Sequence, residues 1–286
     1  AITTSHACAD LVACFSPPHA ESVARWLCER LALPNHRILY QVGGSFAVST
    51  ALALAQRVRP GGIVAIRGAF HGLGVDSLAT TTTQKELALH AVPALTLPHV
   101  ARHLDPGELP VDWSTTSALI FEPVQGAAGY VPLDPGWLEE LVRRAQRAGV
   151  IVISDEIQAG FYRHGHLSVA RAQGLHPDIL LFGKSLTNGL FPTSAVVFHD
   201  EIEARVGRSL ALAHTFQTSA LGFAAADAVT RYIDGTPVAA MCTRIHERLA
   251  ALVERISGAA VISSAHVTGP SASFAVHGGS RAFVRA

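Results

Sequence analysis

The chain has 286 residues, of which 49% are hydrophobic and 15% are charged, a globular composition that excludes a disordered or collagen-like chain. Its 22 basic and 22 acidic side chains balance, so net charge gives no reason to expect binding to nucleic acid or to an anionic membrane. No apolar run reaches the ~20 residues that span a bilayer, and the start lacks the features of a signal peptide, so we expect a cytoplasmic protein.

The cysteines, histidines and lysines narrow the possible chemistry. The four cysteines contain no CxxC pair, which favours reduced thiols in a cytosolic protein. His164 and His166 have no third ligand type nearby, so we expect no metal site. The 22 basic residues include only two lysines, Lys85 and Lys184, and each lysine is therefore a candidate for a specific function.

The first half of the chain predicts helices that alternate with short buried strands. Residues 19–32 carry apolar side chains at helical spacing, and Gly43-Gly44-Ser45 opens a second helix over residues 47–58. Apolar runs at 63–66 and 117–121 predict two buried strands.

The second half continues this alternation and then becomes helical. The residues between 121 and 137 predict a loop, and the tail after residue 258 predicts short strands. The predicted helices cover 137–147, 218–233 and 237–256, and the predicted strands cover 150–154, 177–185 together with a turn, and 194–198.

Alternating strands and helices with fully apolar strands predict an α/β fold, with a mostly parallel sheet covered by helices on both faces. In such sheets the active site lies at the carboxyl ends of the strands. We expect a large domain over residues 1–235 and the start of a smaller C-terminal domain over residues 236–286.

Three polar features lie where the predicted elements meet. Gly43-Gly44-Ser45 precedes a helix, where glycines and free amides suit an anion, although such a sequence more often forms only a turn and a cap. Asp155-Glu156 follows a buried strand, either as a helix cap or as carboxylates directed into a site. Lys184 ends another buried strand in a Gly-Lys-Ser turn, whereas most lysines are solvated surface residues.

These three features match the requirements of one cofactor. Pyridoxal phosphate needs a lysine for its Schiff base, an acid that keeps the pyridine nitrogen protonated, and helix-terminal amides for its phosphate. The protonated ring acts as an electron sink for a carbanion. The region from residue 150 to residue 198 therefore predicts a pyridoxal-phosphate enzyme.

The sequence also resembles a known family. The segments FEPVQGAAGY, ISDEIQAGFYRHG, HPDILLFGKSLTNGLFPTSAV and HTFQTSALGFAAADA are similar, in this order, to the signature segments of the class III pyridoxal-phosphate aminotransferases. That group contains the ornithine, 4-aminobutyrate and other omega-amino transaminases. GGSFAVSTALALA and AFHG fall where the family has its phosphate loop and its ring-stacking aromatic residue. The resemblance runs from about residue 1 to about residue 275 and implies fold type I.

The resemblance implies a role for each residue that faces the ring. Lys184 would form the Schiff base and move the proton between substrate and cofactor. Asp155 would pair with the pyridinium nitrogen, and Gln158 would lie near the phenolic oxygen. Phe70 would stack on one face of the ring, beside His71.

Other residues are implied to bind the phosphate or to face the substrate. Gly44 and Ser45 would hold the phosphate through their amides and the serine hydroxyl. Thr215 resembles the threonine that reaches the phosphate from the neighbouring subunit, which implies a homodimer with shared active sites. Glu122 resembles the glutamate that neutralises a mobile arginine when the site changes substrates.

The chain also departs from the family pattern. Phe46-Ala47 replaces an expected Glu-Ala, and Ser219-Ala220 replaces an expected Asn-Pro. Family members are well over a hundred residues longer, and the arginine that grips the substrate carboxylate has no counterpart among Arg281 and Arg285. We expect an incomplete record of a full enzyme rather than a truncated relative.

The leading interpretation is an aminotransferase that passes an amino group from an amine or amino-acid donor to a keto or aldehyde acceptor by a ping-pong mechanism. A racemase, epimerase or aminomutase of the same fold would share Lys184 and Asp155. A non-catalytic relative is the third interpretation. The residues do not identify the donor or the acceptor.

Overall fold

A computed structural model describes residues 17–84, 101–109, 111–207 and 216–278 of the chain. Its helices are α1 (Pro18–Arg30), α2 (Gly44–Val58), α3 (Val75–Thr80), α4 (Pro135–Arg147), α5 (Val169–Ala172), α6 (Asp200–Val206), α7 (Ala220–Asp234) and α8 (Val238–Ile256). Its strands are β1 (His36–Gln41), β2 (Gly62–Ile66), β3 (Ala101–Leu104), β4 (Thr116–Phe121), β5 (Val124–Gln125), β6 (Val131–Pro132), β7 (Ile151–Asp155), β8 (Ile179–Phe182), β9 (Ser194–His199), β10 (Ile262–Thr268) and β11 (Ser271–Val276).

Seven of these strands form one sheet in the order β1-β9-β8-β7-β4-β2-β3. The five strands from β8 to β3 run parallel to one another. Strand β9 runs antiparallel to β8 and to β1. The prediction of a mostly parallel α/β sheet is confirmed, and all five predicted strands are present.

Helices cover both faces of the sheet, because the side chains of each strand alternate between two apolar layers. On one face Ile120 and Ile153 pack against α2. On the other face Phe121 and Val152 pack against α4. Strands β4, β7 and β8 are buried along their whole length, which explains why they read as continuous apolar runs in the sequence.

Local sequence signals place the helix before β7. The carboxylate of Asp134 accepts a hydrogen bond from the backbone N–H of Trp137 at 2.7 Å, and Pro135 occupies the first turn of α4. Gly149 adopts φ +72° after the helix, a conformation that favours glycine. This turn leads the chain directly into β7 and delivers Asp155 to the carboxyl edge of the sheet.

The C-terminal part of the described chain is a helix and a hairpin. A break at Gly235–Pro237 separates α7 from α8, and α8 packs on the antiparallel pair β10–β11. The sequence did not predict the edge strands β1 and β3, the short pair β5–β6, the short helices α3, α5 and α6, or the reversed direction of β9. Strand β1 was missed because its polar residues follow no clear alternation.

None of the helices among the described residues is long and apolar enough to cross a membrane. Nor do those residues include three or more His, Cys, Asp or Glu side chains grouped so that they could hold a metal ion.

Candidate active site

A cavity of about 450 Å³ opens at the carboxyl ends of the parallel strands. The start of α2 and the loops that follow β2, β4, β7 and β8 form its walls. Thr215, which was predicted to reach the site from a neighbouring subunit, lies outside the described residues. The cavity brings together the other predicted site residues: Gly44, Ser45, Phe70, His71, Glu122, Asp155, Gln158 and Lys184.

The start of α2 forms one wall and suits an anion. Gly43 adopts φ +84°, and no side chain caps the helix that begins at Gly44. A Cβ at Gly44 would lie 3.1 Å from Ile157 Cγ2, so a larger residue would crowd the wall. N–H groups at the start of a 15-residue helix, beside the hydroxyl of Ser45, are a set of donors that fits a phosphate.

Asp155 is the last residue of β7 and is buried. Its Oδ2 accepts a hydrogen bond from His71 Nδ1 at 2.8 Å, and its Oδ1 accepts one from the backbone N–H of Ile157 at 3.1 Å. The backbone N–H of His71 donates to Thr81 Oγ1 at 2.9 Å. These bonds hold the carboxylate in one orientation at the floor of the cavity.

The Asp155–His71 pair was missed in the sequence because its members are 84 positions apart. The family resemblance implied only that His71 lies beside Phe70. The Nε2 atom of His71 is buried and has no hydrogen-bond partner among the described residues. A buried polar atom without a partner is costly, and this atom fits a site that receives a polar ligand.

Glu122 follows β4 and is buried. Its Oε2 accepts a hydrogen bond from the backbone N–H of Phe70 at 2.9 Å. The pKa of this carboxyl is raised to about 7, mainly by burial; His71 and the backbone N–H groups of Phe70 and Gly126 oppose the shift, and the charge of Asp155 adds to it. Glu122 therefore connects the loop that carries Phe70 to the loop that begins after β4.

Lys184 follows β8 at the start of a short 3₁₀ turn, Lys184–Leu186. Its φ of +41° is unusual for a residue with a side chain. Burial lowers the pKa of its ammonium group, and the nearby charge of Arg163 lowers it further, although Asp155 and Glu122 act in the opposite direction.

A second cavity of about 500 Å³ adjoins the first and shares Phe70, Gln158 and Lys184 with it. Tyr130 and Ser273 line its far side. Sequence reasoning missed this contribution of the β10–β11 hairpin, because Ser273 lies in an alternating segment without any motif. A Cβ at Gly126 would overlap the amide of Gln158, which explains why a glycine occupies this position.

Comparison with known proteins gave consistent results. The family model described as aminotransferase class-III matches residues 3–275. Acetylornithine aminotransferase of Lactiplantibacillus plantarum is 31% identical over 223 residues, which cover 77% of this chain and 56% of that protein. 2-Aminoadipate transaminase of Pseudomonas putida is 33% identical over 205 residues, which cover 64% of this chain and 48% of that protein.

A solved structure has the same fold. The taurine:2-oxoglutarate aminotransferase of Bifidobacterium kashiwanohense, in complex with PLP and glutamate, superposes with a TM-score of 0.84 at 18% identity. The match covers 98% of this chain and 70% of that chain. By contrast, the chain spans about half the length of the two sequence relatives.

Proposed function

The chain belongs to the class III aminotransferase family, and from that premise we propose that it is a pyridoxal-phosphate-dependent aminotransferase. It would pass an amino group from an amine or amino-acid donor to a keto or aldehyde acceptor in two half-reactions. One observation carries the proposal: the start of α2, Asp155 and Lys184 meet in one cavity although they lie far apart in the sequence.

The residues present fit pyridoxal phosphate. When bound, the cofactor supplies an electron sink for the negative charge left on a substrate carbon that loses its proton. Gly44 and Ser45 offer N–H and hydroxyl donors for a phosphate. Asp155 offers a buried carboxylate for the ring N–H, and its bond to His71 keeps that carboxylate oriented. Phe70 lines the same cavity and would stack on the ring.

Lys184 would hold and move the proton. Because burial lowers the pKa of its ammonium group, Nζ loses its proton more readily than an ordinary lysine does. A neutral Nζ is a nucleophile suited to hold an aldehyde as a Schiff base. Once a substrate amine had taken its place on that carbon, the freed Nζ would accept the proton of the substrate carbon and return it at the other end of the reacting system. Gln158 would lie on the phenolic side of the ring.

We assign two substrate-side roles as part of the same proposal. Glu122 would neutralise the charge of a mobile arginine when the site changes substrates. Its raised pKa supports this role, because the carboxyl group can take up a proton when that arginine moves away. The phosphate would receive a further hydroxyl from Thr215 of a neighbouring subunit. We also propose the division into a large domain, 1–235, and a smaller one, 236–286, which the helix break at Gly235–Pro237 supports.

A homodimer with shared active sites is part of the proposal. Large apolar side chains are exposed next to cavity-lining residues: Leu190 is 64% exposed, and Phe46 and Leu73 follow Ser45 and Gly72 in the sequence. An apolar rim of this kind is typical of a protein interface. We also propose a cytoplasmic location, which the free thiols of Cys28 and Cys242 support.

The proposed function is tested by the absorbance of the purified chain with pyridoxal phosphate, before and after a panel of amine donors. We expect a yellow band that one donor bleaches, with release of a keto product. A yellow band and a donor that loses chirality without keto product would indicate an isomerase instead. A protein that stays colourless would contradict the proposed function.

A further inference from the structure

Glu156 is a buried carboxylate that the proposed chemistry does not use. It follows Asp155 directly at the end of β7 and is fully buried. Because successive residues of an extended chain point to opposite sides, Asp155 faces the cavity while Glu156 faces the layer that contains α4 and α5. Placing an isolated charge in such a layer is costly, so its partners need an explanation.

The carboxylate of Glu156 is held entirely by donors at the start of α5. It accepts hydrogen bonds from the hydroxyl of Ser168, from the backbone N–H of Val169 at 2.5 Å and from the backbone N–H of Ala170 at 3.3 Å. Three donors converge on this one carboxylate. The end of β7 is therefore tied to α5 across the intervening loop.

The backbone of Glu156 is fixed as well. Its N–H donates to the carbonyl of Leu181 in β8 at 3.0 Å, and its carbonyl accepts from the N–H of Gly160 at 2.9 Å. Glu156 thus joins three parts of the fold at the position where the chain leaves the sheet. These are β7 with its following turn, the neighbouring strand β8 and the helix α5.

The loop between Glu156 and Ser168 carries groups that face the cofactor site. Ile157 and Gln158 line the cavity, and the N–H of Ile157 donates to Asp155 Oδ1 at 3.1 Å. Further along, Arg163 Nη2 donates to the hydroxyl of Ser185 at 3.1 Å, next to Lys184. A shift of the backbone at Glu156 would therefore displace residues near Asp155 and also the contact next to Lys184.

We infer that Glu156 is a positioning residue that holds Asp155 and Gln158 in place for the cofactor. The inference rests on the proposed function. Its chemical reason is that the two oxygens of the carboxyl group accept all three hydrogen bonds from α5. A glutamine of the same shape would set its own NH₂ group against the N–H donors of α5, and an alanine would leave those donors buried without partners.

The inference is tested with Glu156→Gln, and with Val152→Ala as the matched control. Val152 is a buried residue of the same strand that packs on the same side of the sheet. Titration with pyridoxal phosphate measures the dissociation constant of each protein. We expect Glu156→Gln to bind about tenfold more weakly or worse and Val152→Ala to stay within about twofold of the parent.

Two further readouts separate positioning from general stability. The absorbance of the bound cofactor as a function of pH should shift in Glu156→Gln, because Asp155 is displaced, and should be unchanged in Val152→Ala. Hydrogen exchange of residues 157–168 without cofactor should become faster only in Glu156→Gln. Should Glu156→Gln fail to fold, Ser168→Ala removes one of the three donors and should shift the same readouts by less.

The outcomes are distinguishable. If the parent protein does not bind pyridoxal phosphate, both the proposed function and the role of Glu156 are wrong. If the parent binds and Glu156→Gln binds equally well with the same pH profile, only the role of Glu156 is wrong. Equal weakening in Glu156→Gln and Val152→Ala would also overturn it, because a general loss of stability would then explain both.

Discussion

The central sheet and the C-terminal unit of α8 with β10–β11 are stabilised in different ways. Strands β4, β7 and β8 are buried along their full length between two layers of apolar side chains. Helix α8 is longer than any of these strands, with 19 residues, yet Cys242 is its only buried residue. Apolar burial dominates folding free energies, so the sheet holds most of the stability.

Polar contacts hold the C-terminal unit on the rest of the molecule. The hydroxyl of Ser271 donates to the carbonyl of Arg163 at 2.8 Å, and the hydroxyl of Ser273 donates to the carbonyl of Gly129. His164 Nδ1 lies 2.7 Å from Thr268 Oγ1. The comparison shows that the residues with proposed chemical roles lie in the well-buried sheet region. The β10–β11 hairpin, in contrast, lines the second cavity and is held by polar contacts, which we expect to break more easily than the apolar core.

The largest expected effect is the loss of activity in Lys184→Ala. Removal of the amine abolishes both nucleophilic attack and proton transfer, so turnover should fall by ~10³-fold or more. Transamination assays with the donor found by absorbance measure the loss. Circular dichroism and the unfolding midpoint should stay near those of the parent, as expected if the lysine serves chemistry rather than the stability of the sheet. Turnover within tenfold of the parent would contradict the mechanism.

The contrast between the two regions predicts unequal costs for equivalent truncations. Phe121→Ala, in the fully buried core, should lower the free energy of unfolding by about 3–5 kcal/mol. Leu252→Ala, on the exposed side of α8, should change it by less than ~0.5 kcal/mol. Denaturant titration of both variants measures the two costs. Similar decreases in the free energy of unfolding would mean that Leu252 contributes as much to stability as a fully buried core residue, which would contradict the comparison.

Gly269→Ala tests how the hairpin is attached. Gly269 adopts φ +54°, and a Cβ there would overlap the backbone of His164 and Gly165. We expect the free energy of local opening in residues 262–276 to fall by about 2 kcal/mol while global stability changes little. Hydrogen exchange measures both quantities. Gly258→Ala is the control, because nothing lies within 4 Å of a Cβ at that position, and equal exchange in the two variants would refute the docking contact.

The smallest expected effect is the pH dependence of the sheet region. Burial raises the pKa of Glu122 from its ordinary value of 4.5 to about 7, so the unfolded chain loses this proton first as the pH rises. Stability should therefore fall between about pH 4.5 and 7 and then level off. Burial raises the pKa of Glu156 in the same direction.

The test compares Glu122→Gln with the parent by denaturant unfolding at several pH values. The stability of the variant should fall less steeply across this interval, by up to ~1.4 kcal/mol per pH unit. Glu254→Gln, on the exposed surface of α8, should leave the curve unchanged. A parent whose stability rises across this interval would contradict the assigned pKa shift of Glu122.

Much of the fold could be predicted from the sequence, because buried parallel strands read as short apolar runs and glycines mark their ends. Ile151–Asp155 and Ile179–Phe182 are examples of this pattern. The direction of β9 could not be predicted, because a buried strand such as Ser194–His199 has the same apolar pattern whether it runs parallel or antiparallel to its neighbours. The family was likewise found from motifs, and the match over residues 3–275 confirms it.

The residues that line the cavity were predicted better than the hydrogen bonds between them. Eight of the nine predicted residues line one cavity, because the carboxyl ends of parallel strands meet at one edge. The bond from His71 to Asp155 and the bonds from α5 to Glu156 join distant positions. Pairings of this kind depend on how side chains pack in three dimensions, and no spacing in a single sequence encodes them.

The backbone of Lys184 has a consequence for how this protein could evolve. A residue with a side chain at φ +41° lowers the free energy of unfolding by about 1 kcal/mol relative to glycine. The fold is therefore less stable at the position that carries the proposed reactive amine. Random variants selected only for survival at high temperature would gain from glycine at this position. With Lys184 in its proposed role, such a selection would enrich descendants that are more heat-tolerant and catalytically inactive.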